Sequence, residues 1–221
     1  MAEVTFEMVR EDEETKVYIT KAKEMLAAIG YTEHGLRHVG LVAHRAMRLL
    51  ERFGYEPRRI ELVGIAGLLH DIGNVVNRRN HGQTSALMAQ RILSRMGMDF
   101  EEIAEVMAAI GNHEEEVGNA VNDIAAALIL ADKSDVHRSR VYNRDFAQFD
   151  IHDRVNYACT HSDLVADLEA KIVRLELTID TTIIALMEYF EIFLVRMVMC
   201  RRAADRLGCQ FELSMNGVRL L

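Results

Sequence analysis

Histidine and aspartate at the ends of apolar segments give this 221-residue chain its first chemical signal. His70 and Asp71 close the run IELVGIAGLLHD, and Gly73 lets the chain turn away directly after them. Adjacent helical side chains point about a quarter-turn apart, so such a pair converges on one centre only near a helix end. A neutral imidazole and a carboxylate suit zinc, manganese or iron. A carboxylate can also bridge two ions at the roughly 3.5–4 Å spacing of two-metal sites. His38 falls one helix earlier, His81 just after the pair, His113 two helices later, and Asp132 ends the apolar stretch AAALILA. An unpaired polar group in such surroundings is costly, and buried acids are usually paired or bound to metal. Taken singly, each residue is better read as a satisfied core histidine or a capping aspartate. Taken together, the six form a candidate set of metal ligands.

The elements that must position them are helical. Apolar periodicity predicts helices over Thr15–Ile29, Glu33–Phe53 and Pro57–His70, the last with proline in its first turn. Further helices are expected from His81 to before Gly97, from an Asp99 N-cap to Gly111, and from Val121 to about Asp135. The last of these is apolar all round and therefore central. Beyond Phe149 the texture changes. Val173, Leu175, Leu177 and Ile179 alternate with polar residues, as in a half-buried strand, and Val155, Tyr157 and Cys159 alternate similarly upstream. A long helix is expected over Thr182–Leu207, then a hairpin turning at Asn216-Gly217. The expected fold is mainly α: a helical bundle over residues 1–150, then a small antiparallel β-sheet with one long helix over residues 151–221.

Composition narrows the function. A formal charge of −8 argues against a nucleic-acid binder, which usually carries clustered positive charge. The most apolar stretch, Ile183–Cys200, contains Glu188, Glu191 and Arg196, so it reads as a buried helix and not a membrane span. The acidic N-terminus lacks the order of a signal peptide, and the three cysteines lack CxxC spacing. A cytoplasmic protein is expected.

The order His38, His70-Asp71, Asp132 resembles the HD-domain superfamily of metal-dependent phosphohydrolases over roughly residues 30–140. The added histidines in HGQTSA and AIGNHEEEVG resemble its two-metal subset, and ALILADKSDVHRSR is similar to the last motif of bacterial HD-type diadenosine tetraphosphate hydrolases. The resemblance implies two divalent transition metals (iron, manganese, cobalt or zinc). It assigns His38, His70, Asp71 and Asp132 to one ion and His81 and His113 to the other, with Asp71 bridging. A water or hydroxide held between the ions would attack phosphorus in a small, nucleotide-like substrate.

Phosphate needs further cations. Lys133, beside Asp132, is the first candidate, followed by Arg138, then Arg78 and Arg79 ahead of His81; a solvated surface charge is an equal reading of each arginine. Many members of the superfamily read HDIGK where this chain has Asn74, which donates a hydrogen bond but carries no charge. Asp71, Lys133 and Asn74 are the expected catalytic set. His34, one turn before His38, is expected to line the pocket or orient a ligand. Of the run Glu114–Glu116, one carboxylate could bond a metal-bound imidazole.

Two other readings fit the ligand set. HD-fold di-iron oxygenases use similar ligands, and a regulatory module could sense a nucleotide there. The hairpin edge is a candidate homodimer surface.

Overall fold

In the computed structural model, which describes residues 3–142 and 149–220, seven helices precede the C-terminal sheet segment. They are α1 (Phe6–Glu11), α2 (Glu13–Ala28), α3 (Leu36–Arg52), α4 (Pro57–Leu69), α5 (His81–Met96), α6 (Phe100–Gly111) and α7 (Asp123–Lys133). Local chemistry fixes their starts. The Asp12, Asp99 and Asn122 side chains accept backbone N–H groups at the first turns of α2, α6 and α7, while Pro57 occupies the first turn of α4. The apolar stripe of α3 (Val39, Val42, Ala46, Leu49) is buried, and α7 is enclosed on every side from Ile124 to Ala131.

The helices carrying His38 and His70 run unusually close together. A Cβ on Gly67 of α4 would lie 2.6 Å from the Ala43 Cα of α3, so only glycine permits this crossing. Gly73 has a related role after α4. It does not adopt a left-handed turn; its bare Cα faces the start of α5, where a Cβ would stand 2.5 Å from the Ser85 nitrogen and closer still to the His81 carbonyl.

The C-terminal segment holds α8 (Ile151–Ala158), β1 (Cys159–Asp167), β2 (Ile172–Ile179), α9 (Leu186–Arg206), β3 (Gln210–Met215) and β4 (Val218–Arg219). Two expectations are corrected here. Val155 and Tyr157 lie on a helix and not on a strand. The Asp150 side chain caps its start, and Ile151 and Val155 share its inner face four residues apart. The sheet, in order β1-β2-β3-β4, is mixed and not antiparallel throughout. β1/β2 and β3/β4 are antiparallel, whereas β2 and β3 are parallel because the connection between them is the crossover helix α9. Asn216 (φ 52°) and Gly217 (φ 78°) make the expected tight turn. Val173, Leu175, Leu177 and Ile179 are buried, α9 packs on both β3 and α7, and one apolar core runs from Val4 to Met215. Among the described residues no helix is long and apolar enough to cross a membrane.

Candidate metal centre

His38 comes from the first turn of α3, His70 and Asp71 from the end of α4, His81 from the start of α5, His113 from just beyond α6, and Asp132 from the last turn of α7. The fold brings all six together. Three overlapping triads, His38/His70/Asp71, His70/His113/Asp132 and Asp71/His81/His113, each have donor atoms within 4.8 Å of one another. The two Asp71 oxygens face different histidine pairs. Oδ2 stands 3.5 Å from His38 Nε2 and 3.4 Å from His70 Nε2, while Oδ1 stands 3.2 Å from His81 Nε2 and 3.9 Å from His113 Nε2. Asp132 Oδ1 lies 3.4 Å from His38 Nε2 and 3.8 Å from His70 Nε2.

The protonation pattern tests whether these residues fit a cation. The Nδ1 atoms of His70, His81 and His113 lie 2.8, 3.0 and 2.6 Å from the carbonyl oxygens of Gly67, Arg78 and Ile110. A carbonyl oxygen cannot donate, so each Nδ1 carries the proton and each Nε2 presents a lone pair. His38 is arranged in the same way, its Nδ1 donating to Asp135 Oδ2 at 2.7 Å. Nε2 lone pairs therefore confront each other at 3.2 Å between His38 and His70 and at 3.0 Å between His81 and His113. With all four rings neutral, as metal ligands must be, no proton lies between them. Ligands about 2.0–2.1 Å from one ion stand about 3 Å from each other, so a cation between each pair turns repulsion into bonding. Asp71 Oδ2 is also buried without a hydrogen-bond partner among the described residues. Burial pushes His70 down and His113 well below the usual imidazole range, which keeps both as neutral donors. The donor set fits divalent metal.

The neighbouring groups hold these ligands in place. Asn74, 2 % exposed, donates to both the Asp71 carbonyl at 2.9 Å and Asp71 Oδ1 at 3.0 Å, so it positions the carboxylate. Lys133 is buried between Asp132 Oδ2 (2.6 Å) and Glu115 Oε1 (3.2 Å). Glu114, from the run singled out in the sequence, reaches His81 Nδ1 at 2.7 Å. Asp135 escaped the sequence reading, although it lies one turn beyond Asp132. It is gripped by Arg37 at 2.7 Å and faces Arg140 at 3.6 Å. Although burial opposes ionisation, Arg140, His38 and Arg37 hold its carboxyl far below the usual range.

A cavity of about 510 Å³ opens beside the cluster, lined in part by His34, Arg78, Glu115, Arg140 and Arg196. Arg78 sits over the Tyr31 ring and places Nη1 3.2 Å from His81 Nε2. Both ring nitrogens of His34 are engaged, Nδ1 with the Thr32 carbonyl and Nε2 with Arg140. Arg138 lies over Tyr157 and does not line this cavity; the arginine that does so from the same turn is Arg140. Arg79 is exposed and also outside it. Arg196, on α9, had no signal beyond being a charge within an apolar helix. Its Nε bonds Glu115 at 3.0 Å, and its guanidinium covers the Phe193 ring at 4.1 Å.

A helical bundle that focuses four imidazoles and two aspartates on one buried point, with arginines at the adjoining cavity, defines a metal-binding protein of the HD type. Residues 35–150 match the HD domain model, and the chain belongs to that family, whose members are in general metal-dependent phosphohydrolases holding divalent ions. It is similar to an uncharacterized protein of Methanocaldococcus jannaschii, 28 % identical over 51 % of this chain and 51 % of that one. The chain thus spans about half the length of this curated relative. No solved structure matches it.

Proposed function

We propose that the protein hydrolyses a phosphoester or phosphoanhydride of a small, nucleotide-like molecule at two divalent transition metals. His38, His70, Asp71 and Asp132 would hold one ion, and His81 and His113 the other, with Asp71 shared. The observation that carries this is the paired confrontation of Nε2 lone pairs on either side of one carboxylate. Such ions bring the pKa of water from 15.7 towards about 7 and neutralise charge on phosphoryl oxygens.

The chain's own residues do the rest. Asn74 orients Asp71 and Lys133 helps keep Asp132 ionised against burial, so no side chain has to act as the general base. Arg78 and Arg196, each stacked on an aromatic ring at the cavity wall, supply donors for the remaining phosphate oxygens. Residues 1–150 carry the ligands, and the segment from 151 to 221 adds Arg196 to the cavity. These guanidiniums favour hydrolysis of an anion over oxygen chemistry on a neutral substrate. The similarity of ALILADKSDVHRSR to the diadenosine tetraphosphate hydrolases points the same way.

The test is metal content of the protein purified without chelators, alongside phosphate release from nucleotides and dinucleoside polyphosphates with added manganese, iron or cobalt. About two ions per chain and metal-dependent release are expected, with Asp71→Ala losing both while keeping its helical circular dichroism. Two irons with oxygen uptake and no phosphate release would establish the oxygenase reading instead.

A further inference from the structure

A separate cavity of about 270 Å³ opens between α3, the turn after α7 and β1. It shares no lining residue with the cavity beside the metal cluster. Asp135 forms part of its wall and also holds His38, so the cavity lies behind that ligand. Arg37, Arg45 and Asp135 are the charged groups of the wall. Glu33, Arg140, Arg48 and Asp163 stand next to them.

These arginines differ in how they are paired. Arg37 is bound by Glu33 and Asp135, Asp135 also faces Arg140, and Arg48 is taken by Asp163. Arg45, 8 % exposed, has only neutral partners among the described residues. Its Nη1 donates to the Ser134 carbonyl at 3.0 Å and to Ser134 Oγ at 2.8 Å, and its Nη2 donates to the Ser162 carbonyl. Four arginines thus meet three carboxylates, and the unmatched charge is that of Arg45. Burial holds its guanidinium below the ordinary value, which Asp135 and Asp163 offset only in part. A buried charge without a counter-ion is costly, and a bound anion relieves that cost.

Unspent donors remain in the wall. Arg45 Nε has no partner, yet among the described residues only Asp71 Oδ2 and Asn156 Oδ1 are both unpartnered and sealed from solvent, so Nε stays accessible. His161, exposed on β1 at the rim, has both ring nitrogens free among the described residues. His137 is spent: Nδ1 accepts from the Ser139 N–H at 3.1 Å and Nε2 donates to the Thr160 carbonyl at 3.1 Å. The volume lies below the roughly 300–1,000 Å³ of pockets for drug-sized ligands, which suits a small ion. We propose that this cavity binds a small tetrahedral oxyanion of the phosphate or sulfate kind, with Arg45 as its counter-charge and His161 at its mouth. A guanidinium matches the oxygens of such an ion in shape as well as charge. The site goes beyond the proposed hydrolysis and does not depend on it.

The test is equilibrium dialysis against labelled sulfate, with ionic strength held constant by chloride. Asp71→Ala, which breaks the metal cluster, is expected to retain about one sulfate per chain with a Kd of about 1 mM or tighter. In the unsubstituted protein the His161 ring resonances are expected to shift over the same concentration range. Arg45→Met and His161→Glu, the latter placing a carboxylate at the mouth, are each expected to weaken binding about tenfold or more. Inorganic phosphate is expected to displace the sulfate from Asp71→Ala protein, and adenosine monophosphate, too large for the cavity, to leave it in place. The absence of saturable binding would overturn the site. So would sulfate that Asp71→Ala abolishes while the His161 resonances stay fixed, or binding that neither substitution weakens. Displacement by adenosine monophosphate would overturn the assignment to a small free ion. Arg45 also ties the end of α7 to β1, so if its variant does not fold, His161→Glu on the exposed rim decides.

Discussion

Replacing Asp135 by asparagine keeps the shape of the side chain and removes its charge and one acceptor. The carboxylate now takes the His38 Nδ1 proton at 2.7 Å on Oδ2, and Arg37 on both oxygens at 2.7 and 3.3 Å. A carboxamide has a single oxygen: placed at Oδ2 it keeps His38 and turns its NH2 to Arg37 Nη1, and placed at Oδ1 it turns its NH2 to both His38 and Arg37 Nη2. If His38 loses its acceptor, its tautomer and ring angle are no longer fixed. Partners of this kind on ligating histidines are worth about 10–100-fold in metal affinity, equivalent to about 1.4–2.8 kcal/mol. Stability also falls, because Arg140, itself only 5 % exposed, keeps its charge without the facing carboxylate. Hydrogen bonds to charged groups contribute about 1.5–3 kcal/mol, and 2–3 kcal/mol in a chain of this size lowers Tm by about 4–12 °C. The assay is manganese titration by calorimetry beside thermal unfolding of the metal-free protein. Lower stability with unchanged manganese affinity would refute the reasoning, since Asp135 would then serve packing alone.

Two further outcomes follow from the same geometry. Gly73→Ala presses a methyl group into the backbone of His81 and Ser85, so α5 must shift; a loss of about 1–3 kcal/mol is expected, with weaker retention of the ion held by His81 and His113, checked by Tm and metal content after dialysis. A variant that melts like the parent would show that α5 yields freely. In chelator, stability should fall as pH drops from 7 to 5. Burial holds the His34, His70 and His113 imidazoles below their unfolded value near 6.5, so in that window the unfolded chain binds more protons than the folded one, each contributing up to about 1.4 kcal/mol per pH unit. His38 acts with the opposite sign, because Asp132 and Asp135 push it up against burial and Arg140, but it is one against three. Urea midpoints at pH 7, 6 and 5 that stay level or rise would contradict this.

How far the sequence revealed the molecule depended on the range of the interactions involved. The clustered residues were legible where they end or close an apolar stretch, as His70, Asp71 and Asp132 do. The caps at Asp99 and Pro57 were legible for a similarly local reason. Val155 and Tyr157 were misread because three alternating residues fit a short helix as well as a strand, and only the Asp150 cap and the i, i+4 burial decide between them. The parallel pairing of β2 with β3 was hidden because register is set by contacts about 38 residues apart in the chain, such as Arg174 with Glu212. The same limit explains Arg138. Sequence proximity favoured it, but the short turn after α7 presents Arg140 to the cavity instead.

The bare Cα of Gly67 has a consequence for precision. α3 and α4 act as the two arms of a caliper whose jaws are His38 and His70, and their closest approach is set where Gly67 meets Ala43. A coordination sphere tolerates errors of about 0.2 Å in a ligand distance, whereas a methyl group placed 2.6 Å from another carbon forces the arms apart by more than that. Core packing elsewhere in the bundle can relax around a changed side chain and lose only stability. At this crossing the packing distance is also the gauge of the ligand pair, so a substitution that the fold survives would still leave the jaws set to the wrong width.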